Sequence, residues 1–301
     1  MSDLLALDLE HQGVPGAICA YVLAGDEPAV IDPGPSTTLA TLERKLREAG
    51  LALEDLRHVV LTHVHLDHAG ATGHLAARVP RLLVHVHRDG APHLADPERL
   101  MASTRRTFGD AHDLLWGEVD PVPADRIRAW EPGIRGPLRR LRAFPTPGHI
   151  GHHLAYLDEG LGVLFSGDSM GIVLGEDAPT HPPTPPPAVD LAAWARTLES
   201  LAPLGPERVG VTHFGLHERF ESRRVELLER LRELEARVRE ALRAGNEGDA
   251  AAYEEDVREA QARHLPRERV DRYFDTFAAA TDWAGVRRYL EKRATEGGEG
   301  S

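Results

Sequence analysis

The stretch Thr62-His63-Val64-His65-Leu66-Asp67-His68 places three imidazoles and a carboxylate directly after the apolar run 59–61. A strand ending at residue 61 would deliver this loop to a sheet edge, where His63 and His65 can face one ion while Asp67 and His68 face another. Chance histidines on a polar surface loop are the competing interpretation, which the order His-x-His-x-Asp-His makes the weaker one. The stretch therefore predicts a site for two metal ions.

Three later polar residues stand in the same kind of place, each soon after an apolar, strand-like run. They are His149 after the run 141–144, Asp168 after 163–165, and His213 after 209–211. An earlier turn, Asp32-Pro33-Gly34, also follows such a run. Imidazole and carboxylate ligands suit zinc, manganese and iron alike, so the residue types leave the metal open.

In these motifs and in their order the chain resembles the metallo-β-lactamase-fold hydrolases, and the resemblance covers roughly residues 1–218. It implies an α/β fold in the form of an αββα sandwich. It also implies a first metal on His63, His65 and His149, a second on Asp67, His68 and His213, and Asp168 as the bridge. Asp32 matches the family's early Asp-Pro-Gly turn and is expected to orient a ligand rather than bind metal.

The resemblance further implies two divalent metal ions, with zinc expected first and manganese or iron as alternatives. Two such ions lower the pKa of a water between them, so that a bridging hydroxide can attack an electrophile at neutral pH. Asp168, as the bridge, and Asp67, which can relay a proton to the leaving group, are the expected catalytic residues. The expected activity is hydrolysis of a small ester, thioester, lactone or phosphoester.

Residues at and around the candidate ligand positions argue against some branches of this family without selecting one. A β-lactamase has no acidic bridge where Asp168 stands, and flavodiiron proteins have glutamate in place of His65. Glyoxalase II-like enzymes carry basic residues soon after the bridge, and quorum-quenching lactonases carry a tyrosine where Gly171 stands, but neither feature occurs here. The expected group is glyoxalase II-like or lactonase-like, with the branch unassigned. The alternatives are a mononuclear iron persulfide dioxygenase on the same scaffold and a non-catalytic metal-binding scaffold protein.

The composition limits which binding partners and which cellular compartment we expect. The chain has 301 residues, 42% of them hydrophobic, and a formal net charge of −13. Residues 1–218 carry 18 basic and 29 acidic side chains, so a small-molecule substrate is expected and nucleic acid is not. The sequence begins without a secretion signal and has no apolar run of about 18 residues, which predicts a cytoplasmic protein without a membrane partner. The single cysteine, Cys19, excludes an internal disulfide and should be a small buried residue.

From residue 219 onward the pattern becomes helical. Apolar residues recur every three or four positions up to Gly245, Asp249 can cap a second helix to about residue 264, and Pro266 opens a third segment to residue 293. We therefore expect a catalytic part, 1–218, and a C-terminal helical subdomain, 219–301. Its aromatic residues can pack the helices onto the sandwich, form a homodimer interface, or contact substrate; among them are Tyr253, Tyr273, Phe274, Phe277, Trp283 and Tyr289.

Residues 89–139 are expected to form a long insertion before the next strand, with short helices near 97–106 and 111–115. Such an insertion can act as a lid. Its Met101 and Trp116, together with Phe108, can line a pocket or simply pack together.

The segment 179–187 contains six prolines and cannot join a helix or a central strand. It should run along the rim of the metal cleft and restrict entry, or else serve as a rigid connector. His181 within it is not expected to bind metal. His152 and His153 are expected on a strand face, with a supporting role beside a ligand left open.

Helices are also predicted at 39–49 and 69–79. For the first, Ser36 or Thr37 should be the N-cap and Gly50 the C-cap.

Overall fold

The computed structural model describes residues 3–131, 138 and 140–298, with backbone alone for 296–298. Within these residues two β-sheets pack face to face. The six-stranded first sheet has the strands, in spatial order, β1 Leu4–Asp8, β2 Cys19–Leu23, β3 Ala29–Ile31, β4 His58–Val60, β5 Leu83–His87 and β6 Ile127–Trp130. The strands β3 to β6 run parallel, and β1 and β2 pair antiparallel.

The second sheet, again counted over the described ranges, has five strands in the order β11-β10-β9-β8-β7. Their bounds are β7 Leu141–Pro145, β8 Leu154–Asp158, β9 Val163–Gly167, β10 Arg208–Val211 and β11 Gly215–His217. Among the described residues of this sheet, only β9 and β10 pair in parallel. The ends of β4, β7, β9 and β10 each lead into a segment that carries candidate metal ligands, as the sequence predicted.

The helices are α1 Leu39–Glu48, α2 Leu66–Ala69, α3 Thr72–Arg78, α4 Ala91–Ala95, α5 Glu98–Phe108, α6 His112–Trp116, α7 Leu191–Leu201, α8 Phe220–Ala244, α9 Asp249–Ala262, α10 Arg267–Thr276 and α11 Ala279–Gly298. Among the described residues none of them is both long and apolar enough to cross a membrane.

The alternation of side chains along each strand creates the layers. In β2, Tyr21 and Leu23 lie in the core between the two sheets, whereas Ala20 and Val22 face the other way and pack with α1 and α3. On the far side of the second sheet, α7 buries Trp194. The fold is therefore the predicted αββα sandwich. Cys19 is fully buried in β2, and its burial raises the pKa of the thiol to about 12.

The C-terminal helices pack onto the second sheet. Leu231 of α8, Phe274 of α10 and Trp283 of α11 share one apolar core with Trp194 of α7. The predicted third segment, 266–293, is two helices, because the chain leaves the helical conformation at Phe277. Whether residues 219–301 form a separate unit stays a prediction.

Asp249 was wrongly predicted as a cap. Gly248 occupies the N-cap position, and Asp249 follows it as the first residue of α9. Its carboxylate accepts hydrogen bonds from Arg237, at 2.9 and 3.0 Å, and from the indole nitrogen of Trp283 at 2.8 Å. Asp249 therefore ties α8, α9 and α11 together instead of ending one helix.

The prediction of an insertion over 89–139 was wrong in one respect. Residues Ile127–Trp130 form β6, which pairs in parallel with β5 and extends the first sheet. The predicted short helices correspond to α5 and α6. Residues 132–137 and 139 of this predicted insertion lie outside the described residues.

Two local predictions also needed correction. The predicted helix 69–79 is interrupted after Ala69, because the Ala71 amide donates to the Gly34 carbonyl oxygen at 2.9 Å instead of continuing the helical hydrogen bonds. Ser36 and Thr37 do not cap α1. Their hydroxyl groups donate to carbonyl oxygens of α6, and a 3₁₀ turn precedes α1 instead.

Candidate metal centre

The seven predicted ligands come from both sheets and meet in one place. Their ligand atoms form three overlapping groups, each with all atoms within 4.8 Å of one another: His63 with His65 and His149, His63 with His68 and Asp168, and Asp67 with His68 and His213. Every one of them is buried except His65 and Asp67, which are half-buried. The strand ends thus bring together residues far apart in sequence.

The first group is formed by three imidazoles. His63 Nε2 lies 2.9 Å and His149 Nε2 lies 2.8 Å from His65 Nδ1. Ligands about 2.0–2.2 Å from one tetrahedral ion lie roughly 3.2–3.6 Å from one another, so these nitrogens need to move apart by only some tenths of an ångström to share an ion.

The second group contains a carboxylate. Asp67 Oδ2 lies 3.3 Å from His213 Nε2 and 3.7 Å from His68 Nε2. Both separations suit ligands of a common ion.

Asp168 lies between the two groups. Its Oδ2 is 3.3 Å from His149 Nε2 of the first group, whereas its Oδ1 is 3.4 Å from His68 Nε2 and 3.9 Å from His213 Nε2 of the second. One carboxylate oxygen therefore faces each group. This placement is compatible with the bridging role that the family resemblance implies for Asp168.

The outer ring nitrogens are occupied, which fixes which nitrogen faces inward. His149 Nδ1 donates to the Pro183 carbonyl oxygen and His213 Nδ1 to the Ala17 carbonyl oxygen, both at 2.8 Å. His68 Nδ1 lies 2.9 Å from Asp32 Oδ2. Hydrogen bonds of this kind hold the ring orientation and tautomer that a metal needs.

Asp32 does not lie among the candidate ligand groups, and it contacts one of their members, His68. Its carboxylate accepts from the Thr62 amide at 2.8 Å, from the Thr62 hydroxyl at 2.7 Å and from the Thr212 hydroxyl at 3.3 Å, besides the contact with His68. Asp32 is buried and has a φ of 48°, in the left-handed region. The turn therefore joins the 62–68 loop to the end of β10.

The protonation states of the histidines in the cluster favour the binding of a metal cation. Burial lowers the pKa of His63 below its ordinary range and that of His65 to about 3, so both rings are neutral and able to bind metal. Burial would lower the pKa of His68 too, but the carboxylates around it, first Asp168, raise it well above its ordinary value. The metal-free cluster thus holds a proton that a divalent ion would displace.

The pKa values of two carboxylates are lowered, in contrast to that of His68. Burial raises the pKa values of Asp67 and Asp168, but the neighbouring histidines, first His68, outweigh it and hold both pKa values below the ordinary range. Both groups are therefore anionic in a buried place. Within the described part of the chain, Asp168 Oδ1 and His68 Nε2 have no hydrogen-bond partner. The two atoms lie 3.4 Å apart, and a divalent ion bound by both would satisfy them, so the residues present suit the implied metals.

Some supporting residues were missed or left open by the sequence. His153 Nε2 accepts the Asp168 amide hydrogen at 3.2 Å, and its Nδ1 lies 2.7 Å from the Thr146 hydroxyl, so the open supporting role is the one observed. Pro183 was not foreseen as a partner of His149. The predicted exclusion of His181 agrees with its contact, since its Nε2 lies 2.7 Å from Asp282 rather than among the ligand groups.

Comparison with known proteins agrees with this geometry. Residues 13–213 match the sequence model of the metallo-beta-lactamase superfamily. The metallo-beta-lactamase fold-containing protein ST1585 of Sulfurisphaera tokodaii is 29% identical over 208 residues, covering 67% of this chain and 74% of that protein. A hydroxyacylglutathione hydrolase of Cupriavidus metallidurans is 27% identical over 289 residues, covering 81% of this chain and 96% of that protein.

A solved structure extends the likeness to the whole chain. The metallo-beta-lactamase family protein TTHA1429 from Thermus thermophilus aligns with a TM-score of 0.69 and 22% identity, over 99% of this chain and 95% of that one. The shared fold therefore includes the C-terminal helices. The fold and the histidine and aspartate groups imply divalent metal binding in a metallo-hydrolase-like protein. Since the sequence model matches more than half of its residues, the chain belongs to the metallo-beta-lactamase superfamily.

Proposed function

We propose that this protein is a dinuclear metal-dependent hydrolase of a small ester, thioester, lactone or phosphoester. The observation that carries the proposal is the position of Asp168, with one oxygen toward each group of ligands. Two divalent ions, zinc before manganese or iron, would supply an activated water and polarise the bond to be cleaved.

The chain's own residues would perform three tasks. The carbonyl oxygens of Pro183 and Ala17 hold the outer protons of two histidines, which keeps the inner nitrogens free to bind. Asp168 joins the two groups. Asp67 Oδ2 is 3.3 Å from His213 Nε2 while its side chain remains 16% exposed, so this carboxylate can carry a proton between the centre and water.

Several observations bear on the substrate. The relative from Cupriavidus metallidurans is a hydroxyacylglutathione hydrolase, which makes thioesters a reasonable class to test first. However, no lysine or arginine follows Asp168 before residue 196, and Gly171 stands where lactonases carry tyrosine. We therefore keep thioester, ester and lactone together as one acyl class, with phosphoesters beside it.

The test combines metal analysis with turnover. Protein purified without added metal would be analysed for its metal content and assayed with p-nitrophenyl butyrate, an acyl thioester of glutathione and bis(p-nitrophenyl) phosphate. Two zinc or manganese ions per chain, with turnover that a chelator abolishes and metal restores, would support the proposal. One iron per chain without hydrolysis would replace it with persulfide dioxygenase activity, and bound divalent metal without any turnover would favour a non-catalytic metal-binding scaffold protein.

Partners and location belong to the same proposal. A small-molecule substrate, without nucleic acid or membrane, fits the acidic charge of residues 1–218. We also propose a cytoplasmic protein and a homodimer through the C-terminal helices. Sedimentation velocity tests the dimer, and a monomer at all concentrations would contradict it.

A further inference from the structure

Four mutually contacting rings form a cluster beside the second ligand group, and we call His11, Trp116, Tyr273 and Phe277 the aromatic wall. Phe277 lies at its centre, with ring centroids 4.8 Å from His213, 5.0 Å from Tyr273 and 6.0 Å from both Trp116 and His11. His11 and Trp116 stack in parallel, with centroids 5.3 Å apart and planes 6° apart. The wall therefore begins at a candidate metal ligand.

The wall contains polar atoms that nothing in the described structure satisfies. Both ring nitrogens of His11, the indole nitrogen of Trp116 and the hydroxyl of Tyr273 are buried and have no hydrogen-bond partner among the described residues. His11 and Tyr273 are 1% exposed and Trp116 is 2% exposed. Unsatisfied buried polar groups are rare because they cost stability, so a cluster of them suggests an absent partner.

The backbone around His11 is held in an uncommon conformation that buries this ring. Glu10 and Gln12, on either side, have φ values of 49° and 52°, in the left-handed region that favours glycine. The Asp8 carboxylate accepts from the Glu10 amide at 2.9 Å and from the Gly16 amide at 2.8 Å, which closes the turn. Such conformations persist where the surrounding structure enforces them, and they concentrate at functional sites.

The turn is also fixed from the C-terminal helices. The Arg272 guanidinium of α10 donates to the carbonyl oxygens of Gln12 and Gly13, at 3.2 and 2.9 Å. Arg272 immediately precedes Tyr273 of the wall. The position of His11 and that of α10 are thus set together, although the two lie at opposite ends of the chain.

The chemistry of the wall selects one kind of ligand. Burial lowers the pKa of His11 to about 4, so the ring is neutral at physiological pH and has one N–H donor. The Trp116 indole is a donor only, and apolar Leu66, Leu115 and the half-buried Phe108 surround it. A hydrogen-bond-accepting oxygen carried on an apolar group matches these unsatisfied donors and their apolar neighbours.

We propose that the aromatic wall binds the acyl part of the substrate, with the His11 ring N–H donating to a substrate oxygen. This inference rests on the proposed hydrolase function and narrows its substrate to apolar acyl esters and thioesters. His11 is then a substrate-binding residue that the metal motifs do not include.

The test replaces the imidazole with a ring that lacks nitrogen. His11→Phe retains stacking on Trp116 and removes two unsatisfied polar atoms, so its melting temperature should equal or exceed that of the wild type. Its kcat/KM for p-nitrophenyl butyrate should fall at least tenfold, mainly through KM, with metal content unchanged. His58→Phe is the matched control, because His58 is also buried and has one unpartnered nitrogen but lies at the start of β4. This control should keep the wild-type kcat/KM.

Two results would overturn the inference. A lower melting temperature for His11→Phe with unchanged kcat/KM would make the histidine structural. If the wild type hydrolyses no ester, calorimetric titration of the metal-loaded protein with sodium butyrate separates the two proposals. Butyrate binding lost only in His11→Phe would keep the inference while the hydrolase fails, and equal or absent binding in both proteins would end it. If His11→Phe does not fold, His11→Gln and His11→Leu repeat the comparison, and only the glutamine should retain binding.

Discussion

His149 Nδ1 donates a hydrogen bond to the carbonyl oxygen of Pro183 at 2.8 Å, so the proline-rich segment fixes the orientation of a candidate metal ligand. The other side of this segment is held by Asp282 of α11, which accepts from the Thr184 amide at 2.6 Å and lies 2.7 Å from His181 Nε2. The segment therefore connects α11, through hydrogen bonds on both of its sides, to a candidate ligand of the metal centre. Its predicted effect on entry to the cleft stays a prediction.

We expect Asp282→Ala to weaken both the fold and the metal site. The change leaves the buried Thr184 amide and His181 ring without their acceptor, which should cost about 1–3 kcal/mol of unfolding free energy. Zinc affinity should fall by about tenfold, as for other groups that orient ligands indirectly. Urea unfolding and competition with a zinc indicator measure the two effects. Asp275→Ala, which removes an exposed partner of Arg258, is the control, and equal results for the two variants would contradict the coupling.

Asp168→Ala should remove hydrolysis and lower the metal content below two ions per chain. The reason is the loss of the carboxylate whose two oxygens face the two ligand groups. Elemental analysis and the p-nitrophenyl butyrate assay give the readouts, with the exposed Asp26→Ala as control. Normal turnover by Asp168→Ala would show that the bridge is wrongly assigned.

Asp32→Ala should lower the free energy of unfolding more than a substitution at an exposed position does. It removes the acceptor of the Thr62 amide and hydroxyl groups and the partner of His68 Nδ1. Loss of about 2 kcal/mol or more is expected from the unsatisfied buried groups, together with a roughly 10–100-fold loss of metal affinity. Chemical unfolding of the metal-free protein separates the first effect from the second. An unchanged metal affinity would show that Asp32 only shapes the turn.

His85 should make the stability of the metal-free protein sensitive to acid. Burial, with His58 and Arg128 nearby, lowers its pKa from 6.5 to about 3. Between these two values the unfolded chain binds more protons than the folded one, so stability falls as the pH falls from about 6.5 toward about 3. Above pH 6.5 the residue contributes no pH dependence.

The test compares His85→Phe with the wild type by urea unfolding in the presence of a chelator at pH 5 and pH 7.5. The dependence of unfolding free energy on pH should decrease by up to ~1.4 kcal/mol per pH unit in the acidic range. The histidines at other buried positions keep a remaining slope, so the comparison uses the difference between the variant and the wild type. Parallel curves would show that His85 does not titrate as stated.

The metal centre was predictable because its chemistry is local in the sequence. The 62–68 loop carries four candidate ligands, and the family resemblance assigned the other three, each of which follows a strand-like run. The αββα layers were implied by the family resemblance rather than by periodicity, since all five residues of β2 are apolar and buried. The short strand β6 was missed, since its residues Ile127–Trp130 include two exposed side chains.

The remaining errors arise from contacts between distant segments. Nothing near Ser36 indicates that its hydroxyl bonds α6 rather than caps α1, and nothing near Asp249 indicates its ion pair with Arg237. The helix break after Ala69 depends on Gly34, which lies across the site. His11 carried only a faint signal, one histidine two residues before Gly13, and its meaning depends on the rings of Trp116 in α6 and of Phe277, which follows α10.

The division of the ligands between the two sheets also determines when the centre can be completed during synthesis. Four candidate ligands lie in the 62–68 loop, whereas His213 follows β10 near the end of the second sheet. At about 5–20 residues per second, the loop leaves the ribosome on the order of ten seconds before His213 does. Metal capture and the closing of the two sheets are therefore late and coupled events. In a cell short of metal, we expect the amount of folded protein to decline together with its activity.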